Sequence, residues 1–372
     1  MLRPGIDQVT PGNMGKRLQK PPRAQATVED VARAAGVSTA SVSRVLNDDR
    51  SVSAALRAKV ERQIGALGYV RHGAARSLRS LRSLTVGTVL PTLENAIFAV
   101  GIDAFERRLH DAGYTLLVAL SGYDLEHEAQ QVRRLLERGV DGMMLIGEDH
   151  APATYDLLAR SNAHCVNTWT YKAEAAHACV GFDNHAATRR IAHYLIGLGH
   201  RRIAMIAGIT EHNDRARERV EGLRAGLQDH GLALEPSLLM ERKYDIDEGR
   251  HALQALMETD PRPTAIVCGN DVLAYGALFA CADLGISVPD DVSITGFDDL
   301  PLTAQLRPAL TTIHVPSREM GRRAAEYLLE KLAGRPVSHA TALAAELVVR
   351  DTTTSPPTAA RLRAGSRNRS PV

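Results

Sequence analysis

Residues 27–47 read TVEDVARAAGVSTASVSRVLN, and the rest of the chain is organised around them. Thr27 is placed to cap a helix whose first turn carries Glu29 and Asp30, where exposed backbone N–H groups favour negative charge. Val31, Ala34 and Ala35 give a short apolar face at helical spacing, and Gly36 ends the helix where a residue without Cβ turns most cheaply. Ser38 is placed to cap a second helix with Val42, Val45 and Leu46 inward and Thr39, Ala40, Ser41 and Arg44 outward. Two short helices joined by a glycine turn, the second presenting small polar groups and an arginine, form a helix-turn-helix. A third helix follows, capped by Ser53, carrying Leu56, Val60, Ile64 and Leu67 at core spacing and stopped by Gly68.

Outward from this head, length and charge set the frame. The 372 residues exceed one usual domain. No apolar run reaches the roughly 18 residues that cross a bilayer, and the first 26 residues lack the apolar centre of a signal peptide, so the expected location is the cytoplasm. Cys165, Cys179, Cys268 and Cys281 are scattered, without C-x-x-C or metal-ligand spacing, as buried thiols in a reducing compartment would be. The net charge of +2 hides an asymmetry: residues 1–83 hold 15 Lys/Arg against 6 Asp/Glu, leaving 30 against 37 for the remainder. A basic head on an acidic body suits a DNA-binding module joined to a domain that must not adhere to DNA.

From Leu84 the pattern changes to alternating strands and helices. LTVGTVLP (84–91) is followed by a helix over Ile97–Ala112, a strand over Tyr114–Leu120, a helix over Glu126–Arg138 and a strand over Asp141–Ile146. After CVGFDNHAATRR the rhythm restarts, with strands near Arg202–Ala207, Ala265–Cys268 and Val292–Thr295. This βαβ alternation predicts doubly wound parallel sheets, an α/β core behind an all-α head.

VEDVARAAGVSTASVSRVLN, continuing ungapped through VSAALRAKVERQIGALGYV into HGAARSLRS, resembles the DNA-binding head of the LacI (lac repressor) family, and the likeness runs to about Arg350. The resemblance implies a two-lobed, periplasmic-binding-protein-like core made of two doubly wound parallel sheets. It gives a helix-turn-helix domain over 27–70 and a hinge helix or linker over 71–83, while residues 1–26, rich in Pro, Gly, Lys and Arg and without periodicity, read as a disordered basic leader. The effector-binding and dimerisation core then spans 84–350, with lobe 1 about 84–181 and 315–342 and lobe 2 about 182–314 and 343–350. A disordered tail covers 351–372. The chain is expected to cross between lobes near Val180–Asn184, Ile313–Pro316 and Thr341–Ala345.

By resemblance the second helix enters the major groove with Thr39 and Ala40 at the principal base-reading positions and Ser41 and Arg44 beside them. Thr27, Ser38, Ser43, Asn47 and Tyr69 complete the expected DNA contacts of the head. In the hinge, Leu78 matches the leucine that wedges a base step open, with Ala75 and Arg76 along the helix pair and groove. The family's usual Pro-Asn is replaced by Arg71-His72, a departure at the hinge entry.

Ligands of doubly wound sheets sit beyond the carboxyl ends of the strands. Candidates there are Thr92, Glu94, Asn95 and Phe98, then Ser121 and Tyr123, Glu148, Asn167, Thr168 and Trp169, and from the second lobe Asn213, Arg217, Tyr244, Asn270 and Asp298. The resemblance narrows these: Arg217 matches the arginine for hydroxyls or a carboxylate, Asn270 of CGND and Asp298 of ITGFDD match sugar-binding residues, and Tyr244 an aromatic that stacks on a sugar. The expected binding set is thus Thr92, Asn95, Phe98, Tyr123, Glu148, Trp169, Arg217, Tyr244, Asn270 and Asp298. PTLENAIFAVGIDAF resembles gluconate-utilisation repressors, which implies a sugar-acid effector; aldohexoses, pentoses and purines stay open. His200 in GLGHRRIA is read as structural. No catalytic residues, metal or cofactor are expected. The tail lacks leucine heptads, so the expected assembly is a homodimer through Ala99–Leu109 and Gly321–Leu332, bound to double-stranded operator DNA and to a small effector. Two rival classes compete: a solute-binding protein would need a signal peptide and no head, and an α/β enzyme would need a phosphate-binding glycine motif that is missing.

Overall fold

Short polar residues set the ends of the head's helices. Thr27 caps α1 (Val28–Ala35) through a reciprocal box: its hydroxyl accepts from Asp30 N at 3.2 Å while the Asp30 carboxylate accepts from Thr27 N at 3.0 Å. Gly36 closes this helix in the left-handed region, φ 59°. Ser38 caps α2 (Thr39–Leu46), and Ser53 caps α3 (Ala54–Leu67), which ends on Gly68. The small core is Val31, Ala32, Ala35, Val42, Val45 and Val60. Ala32 takes the place expected for Ala34, which is exposed.

The computed structural model describes residues 26–70, 82–94 and 96–357. It separates into two units, Met1–Arg79 and Ser80–Val372. The leader and most of the hinge, including Ala75, Arg76 and Leu78, lie outside the described residues, as does Asn95.

In the larger unit, the first lobe is a six-stranded parallel sheet. Its strands are β1 (Thr85–Leu90), β2 (Thr115–Leu120), β3 (Gly142–Ile146), β4 (His164–Thr168), β5 (Cys179–Gly181) and β11 (Ala340–Ala342), in the order β11-β5-β4-β3-β1-β2. The near-continuous apolar runs of β1 and β3 are buried on both faces, as covered parallel strands must be. Helices α4 (Ala96–Asp111) and α11 (Ser317–Leu332) pack together on one side. Their approach is so close that a Cβ on Gly321 would lie 1.9 Å from the Gly101 carbonyl oxygen. Helices α5 (Leu125–Glu137) and α6 (Pro152–Arg160) cover the other face.

The second lobe is a four-stranded parallel sheet of β6 (Ile203–Gly208), β7 (Leu239–Arg242), β8 (Ala265–Cys268) and β9 (Ser293–Thr295), ordered β7-β6-β8-β9. It is flanked by α7 (Asn184–Gly197), α8 (Asp214–Gln228), α9 (Ile246–Met257) and α10 (Asp271–Leu284). A two-stranded antiparallel pair, β10 (Thr312–His314) with β12 (Glu346–Val348), completes it. The chain passes between lobes three times: from β5 into α7, from β10 into α11 and from β11 into β12.

His200 is fully buried and ties three segments together, with Nδ1 2.9 Å from Thr264 Oγ1 and Nε2 2.8 Å from the Thr354 carbonyl. The start of the expected tail is not loose. Thr352 is buried, donating to Ile294 O at 2.7 Å and accepting from Thr311 N at 2.9 Å, so residues 351–354 close the second lobe. Threonine looks like loop composition, but here the Thr352 hydroxyl and carbonyl both pair with Ile294 at the middle of β9, an edge strand.

Candidate ligand cleft and nucleic-acid interface

In the head, Thr39, Ala40 and Arg44 are exposed on α2, while Ser41 is half-buried and its hydroxyl lies 3.0 Å from that of Ser38. Ser38 itself holds the N-terminus of α2, its Oγ accepting from Ser41 N at 3.1 Å. Ser43 is half-buried and its Oγ accepts from Asn47 Nδ2 at 3.5 Å, at the helix's far end. Thr27 is spent on the cap of α1, and Tyr69 packs against the head's core. The outward face of α2 therefore offers two small side chains and one arginine, which suits contact with a thymine methyl and bidentate bonding to guanine.

Within the core unit, the strand ends of both lobes converge on a cleft. Its inner end is a cavity of about 20 Å³ lined by Ile97, Phe98, Tyr123, Trp169, Asn213, Arg215, Arg219, Tyr244 and Asp298. Its outer part, about 800 Å³, shares Tyr123, Asn213 and Tyr244 with the inner cavity and adds Thr92, Glu94, His127, His212, Arg242 and Lys243 among its walls. The inner volume admits about one water molecule. Tyr123 and Tyr244 reach from opposite lobes to within 6.5 Å of each other, tilted at 46°, and stand between the two spaces.

Arg219 organises the inner end. Its Nε donates to Asn184 Oδ1 at 2.9 Å and its Nη1 to the Gly269 carbonyl at 2.6 Å, while its guanidinium lies 3.7 Å over the Phe297 ring. Asn184 in turn donates to the Trp169 carbonyl at 2.9 Å, so one residue joins the end of β4 to the second-lobe arginine. Asp298 lies 4.0 Å from Arg219 Nη2, beyond a hydrogen bond. Burial pushes the Asp298 carboxyl up to about 7, and the Arg219 charge opposes this without overcoming it. Asp271 beneath it is also raised, by burial first and then by the charge of Asp298. Burial likewise raises the Tyr123 phenol, with the nearby Tyr244 adding to the effect. Tyr123, Trp169 and Asp298 all have positive φ, 64°, 58° and 122°, so three cavity residues sit in backbone conformations that side chains rarely adopt. The Phe98 and Trp169 rings meet edge-on at 5.3 Å.

Of the sequence candidates, Phe98, Tyr123, Trp169, Asn213, Tyr244 and Asp298 come together at the inner cavity, and Thr92 and Glu94 stand at the outer wall. Asn270 caps α10, its Oδ1 accepting from Leu273 N at 2.9 Å, and its Nδ2 is buried without a partner. Glu148 is drawn aside by Lys172, 2.7 Å away. Ser121, Asn167 and Thr168 are buried and bonded within the first lobe. Arg217 requires correction. It lies outside the inner cavity, half-exposed, and pairs with Asp149 at 2.9 Å; the arginine beside Asp298 is Arg219. Two residues apart on a helix means nearly opposite faces, and the face toward the cleft is the one carrying Arg219.

The model of bacterial regulatory proteins of the lacI family matches residues 27–72, and that of the periplasmic binding protein-like domain matches residues 192–353. An HTH-type transcriptional repressor PurR of Vibrio atlanticus is 33% identical over 310 residues, 82% of this chain and 92% of that protein. This chain belongs to the LacI family. A ribose operon repressor of Haemophilus influenzae is 33% identical over 309 residues, again 82% of this chain and 92% of that protein. The crystal structure of the lac repressor dimer bound to operator and the anti-inducer ONPF superposes with a TM-score of 0.80 at 28% identity, over 89% of this chain and all of that one. As a LacI-family member, the chain is a DNA-binding transcriptional repressor and not an enzyme. Among the described residues no helix is long and apolar enough to cross a membrane, and no cluster of His, Cys, Asp or Glu is arranged to hold a metal ion.

Proposed function

We propose that this repressor binds a pseudo-palindromic operator as a homodimer, governs genes of carbohydrate catabolism and is controlled by a sugar acid such as gluconate. The observation that carries the ligand reading is the Arg219–Asp298 pair beneath aromatic walls. A guanidinium whose Nη2 faces Asp298 from 4.0 Å, beyond a hydrogen bond, suits a carboxylate, a buried carboxyl suits hydroxyls, and Tyr123, Tyr244, Phe98 and Trp169 suit the apolar face of a polyol. A ligand of hexose size exceeds the inner cavity, so binding requires Tyr123 and Tyr244 to part. Closure around the ligand then links effector and operator affinities reciprocally. The DNA contacts proposed for the head are Thr39, Ala40 and Arg44 on α2, with Ser41 beside them.

The same aromatic lining, with a PurR-type repressor among the relatives, favours a purine base as the second reading. A ribose repressor relative adds neutral pentoses to the panel. The test is thermal unfolding against gluconate and related sugar acids, neutral sugars and purines. A ligand at 100 times its Kd adds roughly 2.7 kcal/mol. Stabilisation by a sugar acid alone supports the proposal, whereas stabilisation by a purine or a neutral sugar replaces it.

A further inference from the structure

We propose that the segment Gly147–His150, after β3, and the first turn of α8 form a latch that fixes the two lobes against each other along one edge of the cleft, making Gly147, Asp149 and Arg217 positioning residues for the effector response. Three contacts between the lobes converge there. Arg215 Nη1 donates to the Ile146 carbonyl at 3.0 Å while bonded to Asp214 at 2.7 Å. Glu148 N donates to the other Asp214 oxygen at 2.9 Å. Asp149 pairs with Arg217 at 2.9 Å.

The first-lobe side of the latch is held rigidly. His150, whose side chain is 0% exposed, meets Glu128 of α5 at 2.7 Å and the Gly147 carbonyl at 3.1 Å, so both ring nitrogens face acceptors. Tyr155 donates to the Glu148 carbonyl at 3.0 Å, and Lys172 holds the Glu148 carboxylate. Gly147 sits where the lobes meet: φ is 86°, and a Cβ there would come within 1.7 Å of Arg215 Nη1 and 2.4 Å of Asp214 Oδ1. Arg215 also lines the inner cavity, so a ligand that touches it acts directly on the latch. The remaining parts of the latch stand apart from the cavity wall. Its strength therefore sets how far the lobes are closed before any ligand arrives, and with it the apparent affinity for the effector.

The test uses the full-length protein without ligand, so its outcome does not depend on the sugar-acid reading. Small-angle scattering measures lobe opening, and hydrogen exchange measures protection of the Glu148 amide. In Gly147→Ala the radius of gyration is expected to rise and Glu148 exchange to accelerate about tenfold or more. Asp149→Arg, a change at a half-exposed side chain, is expected to act in the same direction by facing Arg217 with a like charge, and Asp149→Arg with Arg217→Asp to restore both readouts. Unchanged scattering and exchange in both single variants would overturn the latch, as would a folded double variant, judged by its melting temperature, that stays open.

Discussion

Replacing Arg219 with methionine is the sharpest perturbation of the cleft. The side chain keeps its apolar stem over Phe297 but loses a charged donor to Asn184 Oδ1 and to the Gly269 carbonyl. Each hydrogen bond from a charged group is worth about 1.5–3 kcal/mol, and the two acceptors are left buried. Asp298 also loses its nearest cation. Because burial already holds that carboxyl near neutrality, it takes up a proton rather than remaining a bare charge, which limits the extra cost. The expected loss is about 3–5 kcal/mol, the range for breaking a buried pair. Arg217→Met removes only a half-exposed ion pair and should cost about 1 kcal/mol or less. Urea unfolding followed by tryptophan fluorescence measures both, since Trp169 is the single tryptophan and sits in the core unit, so its signal is free of head unfolding. A loss under about 1 kcal/mol for Arg219→Met, or an equal loss for the two variants, would refute the assignment of Arg219 as the organising arginine.

Asp298 gives a pH test. Its folded carboxyl titrates at about 7, above the ordinary unfolded value of about 3.9, so the folded chain holds an extra proton between these limits. The stability it contributes is full below about pH 4 and is lost as pH rises through 7; Asp298→Asn should flatten the decline of the urea midpoint between pH 5 and 8, leaving the share due to Asp271, and an unchanged slope would count against it. Ser38→Ala removes the cap of α2 and should cost the isolated transition of the head about 1 kcal/mol, read by circular dichroism. Gly321→Ala should cost about 1–3 kcal/mol in the core transition, because the new Cβ collides with the Gly101 carbonyl and forces α4 and α11 apart; a neutral melting temperature would show that the helices yield freely.

The head was legible because its signals are local. Thr27, Ser38 and Ser53 sit at helix starts, and Gly36 and Gly68 at left-handed ends, and each acts on neighbours within three or four residues. The parallel sheets were legible from apolar runs punctuated by turns, and five of the aromatic and acidic cleft residues from their place after strands. Arg219 was missed because the sequence around it holds several arginines and motif spacing alone picks the wrong one. A signal was present: Arg219, Gly222 and Gly226 share one helix face, and those two glycines are demanded by close packing of α8 on α7, where a Cβ would strike His185 O or Ala192 Cβ. Arg217 is off that face. Asn184 was hidden because it looks like an ordinary helix start, yet it bonds Trp169 and Arg219 across the lobes. The residues that close the second lobe after Arg350 could not be separated from a loose tail by composition, since only the distant His200, Thr311 and Ile294 reveal their use.

The triple passage of the chain between lobes has a consequence during synthesis. The head is finished as soon as residue 70 has left the ribosome, but the first lobe is not. Its strand β11 and the helix that covers Gly101 and Trp169 come from residues 317–342, made only after the second lobe's four-stranded sheet and its four helices. Until then the first lobe carries an open sheet edge at β5 and an uncovered apolar flank. A nascent chain therefore holds its folded helix-turn-helix head long before it holds a cleft that can answer to a ligand, and a chain broken off near residue 310 is a candidate for aggregation rather than for unregulated repression.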